Sequence, residues 1–187
     1  DLTSQGTILV WAFKNSNKPY QMYVTKPYNG FQLMDLSTTG KVAFRWGNDS
    51  DGITSNQAVQ TGSWNHIAAV ATGSQLKIYI NGILDNTVAY TTNATANTAA
   101  LLIGARADGY YFDGKIDEVK VFNRALSDKE ILYDYNAGFA KKSASWATVN
   151  WVESTDAGNL GPLNKNVVGY WRFQEGSGTT VNDSSGR

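Results

Sequence analysis

Apolar residues in this chain gather in short runs broken by Gly, Asn, Asp, Ser and Thr. The runs fall at 7–13, 31–34, 41–46, 66–71, 76–80, 101–104, 116–122 and 167–173. Each is too short for an ordinary helix and is rich in Val, Ile and aromatic residues, so each is predicted to be a strand. Runs 7–13 and 66–71 are apolar on both faces, as central strands covered from both sides must be. Run 41–46 alternates instead, with Val42, Phe44 and Trp46 on one face and Lys41, Ala43 and Arg45 on the other, which is the pattern of a strand with one dry face. Asn81-Gly82 separates 76–80 from 83–90, and a two-residue connection of this type favours a type I′ hairpin, where both residues take φ > 0. Thr39-Gly40 and Asp51-Gly52 are further hairpin candidates. These features together predict an all-β fold, a two-sheet antiparallel sandwich.

One helix is signalled, over about 127–137. Ser127 and Glu130 have the spacing of a capping box, and Leu126 and Ile131 stand at the hydrophobic-staple positions. Gly138 is the expected stop. Residues 140–166 are richer in Ser, Asn, Thr and Gly and are predicted to be a linker, with Trp146 and Trp151 pinning it to a surface.

The chain has 187 residues, enough for one sandwich domain. Its 16 basic and 16 acidic residues cancel, which speaks against a nucleic-acid partner. It contains no cysteine, so disulfides and thiolate metal sites are excluded. No apolar run reaches the roughly 18 residues of a membrane span, and no signal peptide is visible. The chain opens at Asp1-Leu2-Thr3 without Met and reads as a processed or excised piece of something longer.

Two passages carry a resemblance. The first is Gly62-Ser63-Trp64-Asn65-His66-Ile67-Ala68-Ala69-Val70, continuing through Leu76-Lys77-Ile78-Tyr79-Ile80-Asn81-Gly82. The second is Phe112-Asp113-Gly114-Lys115-Ile116-Asp117-Glu118-Val119-Lys120-Val121-Phe122-Asn123-Arg124-Ala125-Leu126-Ser127. In residue type and order both are similar to the closing half of the laminin-G-like jelly-roll family, of the wider concanavalin-A-like superfamily. The resemblance covers about 1–139 and implies a jelly-roll sandwich. Further on, Val168-Gly169-Tyr170-Trp171-Arg172-Phe173-Gln174-Glu175-Gly176-Ser177-Gly178, then Asp183-Ser184-Ser185-Gly186, resembles the opening of the same family. The chain thus reads as a sandwich lacking its usual opening strands over 1–139, a linker over 140–166 and a family opening over 167–187. Three readings stand open: a severed repeat, closure of the chain's own sheet by the tail, and strand donation to a neighbouring copy. An unpaired sheet edge is a template that proteins pair or cover.

The resemblance raises catalysis, because the superfamily includes laminarinase-like glycoside hydrolases with an E-x-D-x-x-E strand. A retaining mechanism needs two carboxyl groups about 5 Å apart. Here Lys115 and Lys120 stand at the two Glu positions, so glycosidase activity is not expected. His66 is the single histidine and reads as a hydrogen-bonded core residue, since no nucleophile signature accompanies it. The resemblance also raises a structural calcium ion, with Asp117 as the main ligand and Asp183 and Glu175 as partners if the tail docks nearby. The stretch 48–52 resembles a calcium loop only superficially and is predicted to be a hairpin turn. Sugar recognition would use exposed aromatic rings with polar neighbours. The candidates are Tyr20, Tyr28, Trp46, Tyr110 and Tyr111, with Arg106 and Asp108 beside the last pair. Asn93-Ala94-Thr95 fits an N-glycosylation sequon.

The reading of the sequence is therefore a secreted or cell-surface module, non-catalytic, from a larger bacterial surface protein. Its partner would be a glycan or a surface protein ligand. The alternative is a structural subunit of a filament, assembling with copies of itself through strand 167–173. A glycoside hydrolase comes third.

Overall fold

The computed structural model describes residues 2–47, 52–142, 167–172 and 183–184. Eleven strands and one helix occupy them: β1 (Gly6–Lys14), β2 (Met22–Lys26), β3 (Phe31–Asp35), β4 (Lys41–Trp46), β5 (Ile53–Ala58), β6 (Trp64–Ala71), β7 (Gln75–Ile80), β8 (Ile83–Ala89), β9 (Leu102–Ile103), β10 (Gly114–Phe122), α1 (Asp128–Lys142) and β11 (Val167–Trp171). One sheet has the order β11-β10-β1-β6-β7-β8 and the other β5-β4-β3-β2-β9. Paired strands are antiparallel throughout. The two-sheet jelly-roll expectation is met, and the two runs apolar on both faces, in β1 and β6, lie at the centre of the larger sheet.

The alternation of each strand decides its partners. Ile8, Val10, Ala12, Ile67, Ala69, Val119 and Val121 turn from the larger sheet toward Tyr23, Leu33, Val42, Phe44 and Trp46 of the smaller one. The opposite face of the larger sheet is equally apolar: Leu9, Ala68, Val70, Tyr79 and Phe122 pack with Leu126 and Ile131 from the α1 region. The helix is thus a third layer, which explains why β1 and β6 have no polar face. At the open side of the sandwich, the edges of β5 and β8 are tied by Asn86 Nδ2 donating to Thr54 O at 2.8 Å and Asn56 Nδ2 to Asp85 O at 2.7 Å.

Local signals hold where the chemistry is local. Asn81 and Gly82 have φ of 51° and 78°, as a type I′ turn demands. At the start of α1, Ser127 Oγ accepts from the Glu130 N–H at 3.4 Å, while Glu130 Oε2 accepts from the Ser127 N–H at 2.9 Å. The Arg124 guanidinium reaches the same carboxylate at 2.6 Å.

Four features differ from expectation. Strands β2 and β5 lie outside the predicted runs: β2 is short and follows Pro19, and β5 is polar because it is an edge strand with Asn56 and Gln57 exposed. The helix does not stop at Gly138 but runs on to Lys142. Gly138 lies against the Trp11 indole, and a Cβ there would overlap Nε1 and Cε2. Glycine is needed for close approach, not for termination. Run 167–173, predicted to be a strand, does not alternate strictly. Gly169 pairs with Val121 but Val167 with Phe122, so Val168 is an extra residue. That β-bulge turns Val167 to the helix side with Tyr170, while Trp171 packs into the space between the sheets. A second bulge falls where β10 pairs with β1, at Glu118, whose φ is 49°. Strand β11 lies along β10 of its own chain, and the Asp183 carboxylate accepts the Tyr170 N–H at 2.9 Å.

Candidate functional site

Two loops, 15–21 and 104–113, meet at one end of the sandwich, and polar bonds hold them together. The Asp113 carboxylate accepts from Ser16 Oγ at 2.6 Å, Lys18 Nζ at 2.9 Å and Asn15 Nδ2 at 3.1 Å. These bonds, the one from Ser16 foremost, hold its carboxyl down at about 2. Gln21 links the loops from below, accepting the Asp113 N–H at 2.8 Å and donating to Ser16 O at 2.8 Å. Deeper still, between the sheets, Lys14 Nζ lies 2.5 Å from Asp35 Oδ2, and Tyr23 OH donates to Asp35 Oδ1 at 2.7 Å. Burial pushes the Asp35 carboxyl up, against the opposing pull of Lys14 and Tyr23.

On this base stand most of the predicted contact residues. Tyr20 has φ 59°, a left-handed conformation that a bulky residue adopts only when its surroundings impose it. Its ring meets Tyr110 edge-on, centroids 5.3 Å apart. Arg106 grips Asp108 through two bonds of 2.6 and 2.7 Å, and its guanidinium carbon lies 4.5 Å from the Tyr110 ring centroid. Tyr111 is 69% exposed and makes no ring contact among the described residues. Neither member of the Tyr110-Tyr111 pair is buried; the next residue, Phe112, turns inward to Tyr23, centroids 5.1 Å apart. Tyr20, Arg106, Asp108 and Tyr110 thus form one cluster, with the exposed Tyr111 next to Tyr110 in the chain.

Trp46 is corrected. It is fully buried, stacked on Phe31 at 5.8 Å, with its Nε1–H donating to Thr3 O at 3.2 Å. Its place at a strand end left it open as a platform, but Gly6 and the N-terminal segment close over its ring. Tyr28, 74% exposed, is also apart from the cluster, because the whole of β2, roughly 17 Å of strand, separates it from Tyr20. Tyr28 lies instead in the turn between Lys26 and Gly30, two residues that line a cavity of about 220 Å³ at the opposite end, with Phe31, Thr95, Leu101 and Val168 among its other walls. No single segment announces this cavity, since its walls come from segments far apart in the chain.

Under α1 lies a sealed polar network. Lys120 Nζ sits 2.7 Å from Asp134 Oδ1 and 3.4 Å from Glu118 Oε2. His66 Nε2 lies 3.1 Å from Asp134 Oδ2, and Tyr170 OH donates to Glu118. Burial opposes the Asp134 charge, but Lys120 and His66 outweigh it and hold the carboxyl down at about 2. His66 is a buried, hydrogen-bonded residue as expected. Lys120 faces the helix from within, while Lys115 is exposed.

Asp117 and Asp183, expected as calcium ligands, have other partners among the described residues. Lys142 occupies the Asp117 carboxylate, which also accepts the Glu118 N–H at 2.8 Å. Glu118 is engaged by Lys120, Lys141 and Tyr170. Among the described residues, no group of three or more His, Asp or Glu side chains could hold a metal. Glu175 and residues 48–51 lie outside the described residues, as do Trp146 and Trp151. No helix among the described residues is long and apolar enough to cross a membrane.

Known structures share this architecture. A carbohydrate-binding protein of Bacteroides ovatus, so described provisionally, superposes with a TM-score of 0.72 at 14% identity, over 98% of this chain and 50% of that one. The chain therefore spans half the length of that protein. Domain 4 of an extracellular arabinanase from Geobacillus stearothermophilus, in complex with arabinotriose, gives 0.58 at 18% identity, over 72% of this chain and 68% of that one. A sialidase CBM40 of Ruminococcus gnavus bound to α2,3-sialyllactose gives 0.60 at 22% identity, over 72% and 84%. At these identities the likeness is one of fold. A search of curated protein sequences found no match. A laminin-G-type family model matches residues 1–132, and on that match, borne out by the sandwich itself, the chain belongs to the concanavalin A-like lectin/glucanases superfamily.

Proposed function

We propose that this chain is a non-catalytic carbohydrate-binding module that works outside the cell, and that its contact face is the cluster of Tyr20, Arg106, Asp108, Tyr110 and Tyr111. One observation carries the proposal: the exposed Tyr111 is next in the chain to Tyr110 of an assembled Tyr20–Tyr110–Arg106–Asp108 group, on loops bonded to each other from beneath. The Tyr111 ring offers a flat apolar surface to the apolar face of a sugar. The Asp108 carboxylate, more than half exposed, is placed to accept from sugar hydroxyls. Because the loops are already fixed, little ordering entropy is lost on binding. The carbohydrate-binding relatives of the same fold support this reading, as do the lysines at both positions where a laminarinase-like enzyme would need carboxylates.

The test is a glycan array with the intact protein, the Tyr111→Ala variant and the Tyr133→Ala variant, which removes an exposed tyrosine on α1 as a control. Selective hits that weaken at least tenfold in Tyr111→Ala and persist in Tyr133→Ala are expected. An array with no hits, or a profile that Tyr111→Ala leaves intact, refutes the assignment.

A further inference from the structure

We infer that the cavity beside Lys26 is a second binding site, for a single carboxylate-bearing sugar ring at the end of a glycan chain. That the ligand is a sugar rests on the proposal above; the pocket, its charge and its rigidity do not.

The size comes first. About 220 Å³ is below the usual range of roughly 300–1,000 Å³ for ligand pockets, so it admits one ring, not a run of them. A pocket of one ring selects a chain end, whereas an open aromatic face such as Tyr111 accepts a ring anywhere along a chain. The walls come next. Phe31, Leu101, Val121 and Val168 give an apolar floor, and Thr95 and Asn123 add hydrogen-bonding groups.

The charge decides the class of ligand. Among the described residues, Lys26 is the one charged residue of the lining, which includes no Asp or Glu. Its ammonium donates to the Ala99 carbonyl and has no carboxylate within ion-pair distance among the described residues. A half-buried ammonium beside apolar walls has lost part of its hydration, and a docked carboxylate restores that with charge-assisted hydrogen bonds. The lysine is also held in place. A Cβ on Gly30 would lie 2.7 Å from Lys26 Cγ, so the glycine lets the stem pack against the turn.

The turn that joins Lys26 to Gly30, both in the cavity wall, is strained. Tyr28 and Asn29 are successive non-glycine residues with φ of 59° and 60°, and such strain persists only where the surroundings fix it. Here Asn97 fixes it, its Nδ2 donating to Pro27 O at 3.1 Å, Tyr28 O at 3.3 Å and Thr95 O at 3.1 Å, while the Thr95 N–H donates to Asn29 O at 2.8 Å. The strained turn, which joins two lining residues, leaves Tyr28 exposed to solvent.

The experiment titrates the full chain with glucuronic acid and with glucose, which differ only in the carboxylate, by calorimetry or ligand-observed NMR. Glucuronic acid should bind at least tenfold more tightly than glucose. Lys26→Met should erase that preference, Val168→Phe should block binding by filling the cavity, and Tyr111→Ala should leave it unchanged. Thermal melts confirm that each variant is folded, and Val168→Phe serves if Lys26→Met is not. The inference is overturned if glucuronic acid shows no saturable binding, if the preference survives Lys26→Met, or if Tyr111→Ala removes it along with Lys26→Met. Failure of the loop site alone appears separately, as a glycan array indifferent to Tyr111→Ala.

Discussion

Replacing Lys14 by Met should destabilise the fold by about 3–4 kcal/mol at pH 7, in the lower part of the typical cost of breaking a buried ion pair from one side. Both partners are fully shielded from solvent, and Lys14 Nζ is 2.5 Å from Asp35 Oδ2. Methionine keeps most of the lysine stem, so packing changes little. What changes is that Asp35 keeps its Tyr23 hydroxyl and a 3.5 Å contact from Gln21 but no cation. The carboxylate can escape by binding a proton, which sets a ceiling. At about 1.4 kcal/mol for each pH unit above about 3.9, protonation costs about 4.2 kcal/mol at pH 7 and about 1.5 kcal/mol at pH 5. Burial already pushes the Asp35 pKa up in the native protein, and removing Lys14 pushes it higher. A raised carboxyl pKa gives stability that is complete below the unfolded value and lost as pH rises through the folded one. The Lys14→Met deficit should therefore shrink on going from pH 7 to pH 5. Lys14→Met/Asp35→Leu should cost only about 1–3 kcal/mol, the penalty for stranding the Tyr23 hydroxyl, and adding Tyr23→Phe should recover most of that. Urea unfolding followed by tryptophan fluorescence at both pH values measures each term. A single-variant deficit below about 1 kcal/mol at pH 7, or an equal deficit at pH 5 and pH 7, would refute this account of the pair.

Two further outcomes are expected from packing. Gly138→Ala, normally a favourable change inside a helix, should destabilise by about 1–3 kcal/mol because its methyl group overlaps the Trp11 indole; a raised melting temperature would show that α1 is not seated as described. Truncation after residue 165 removes β11, and burial of Val167 and Tyr170 at roughly 1.5–3 kcal/mol each predicts a loss of about 3–6 kcal/mol in a chain that remains monomeric. Equal stability of the truncated and full chains, by melting and size-exclusion chromatography, would show that β11 adds nothing to this domain.

Several features were legible in the residues because their causes are local. Alternation in 41–46 identified the dry face of β4, since side chains leave a strand on opposite sides whatever surrounds it. Asn81-Gly82 announced its turn because few other residues tolerate two positive φ values in succession. Ser127 and Glu130 announced the helix start because the cap needs only those side chains and the adjacent backbone. Tyr110, Tyr111, Arg106 and Asp108 could be grouped because they are near neighbours in the chain.

Other features depended on what a residue meets in space. Gly138 has the same composition signal as a helix stop, and only the Trp11 indole beneath it shows that it is a contact glycine. Trp46 and Tyr28 are both aromatic residues near strand ends. The N-terminal segment and Phe31 enclose the first, while a turn held by Asn97 exposes the second. Strand β5 is polar because it is an edge, and the edge exists only once the sheet order is set. The bulge at Val168, which moves Val167 across the sheet, arises from its register against β10. The Lys26 cavity belongs to no segment at all: residues as distant as Gly30, Thr95 and Val168 enclose it, so only the packing of the two sheets and the tail could create it.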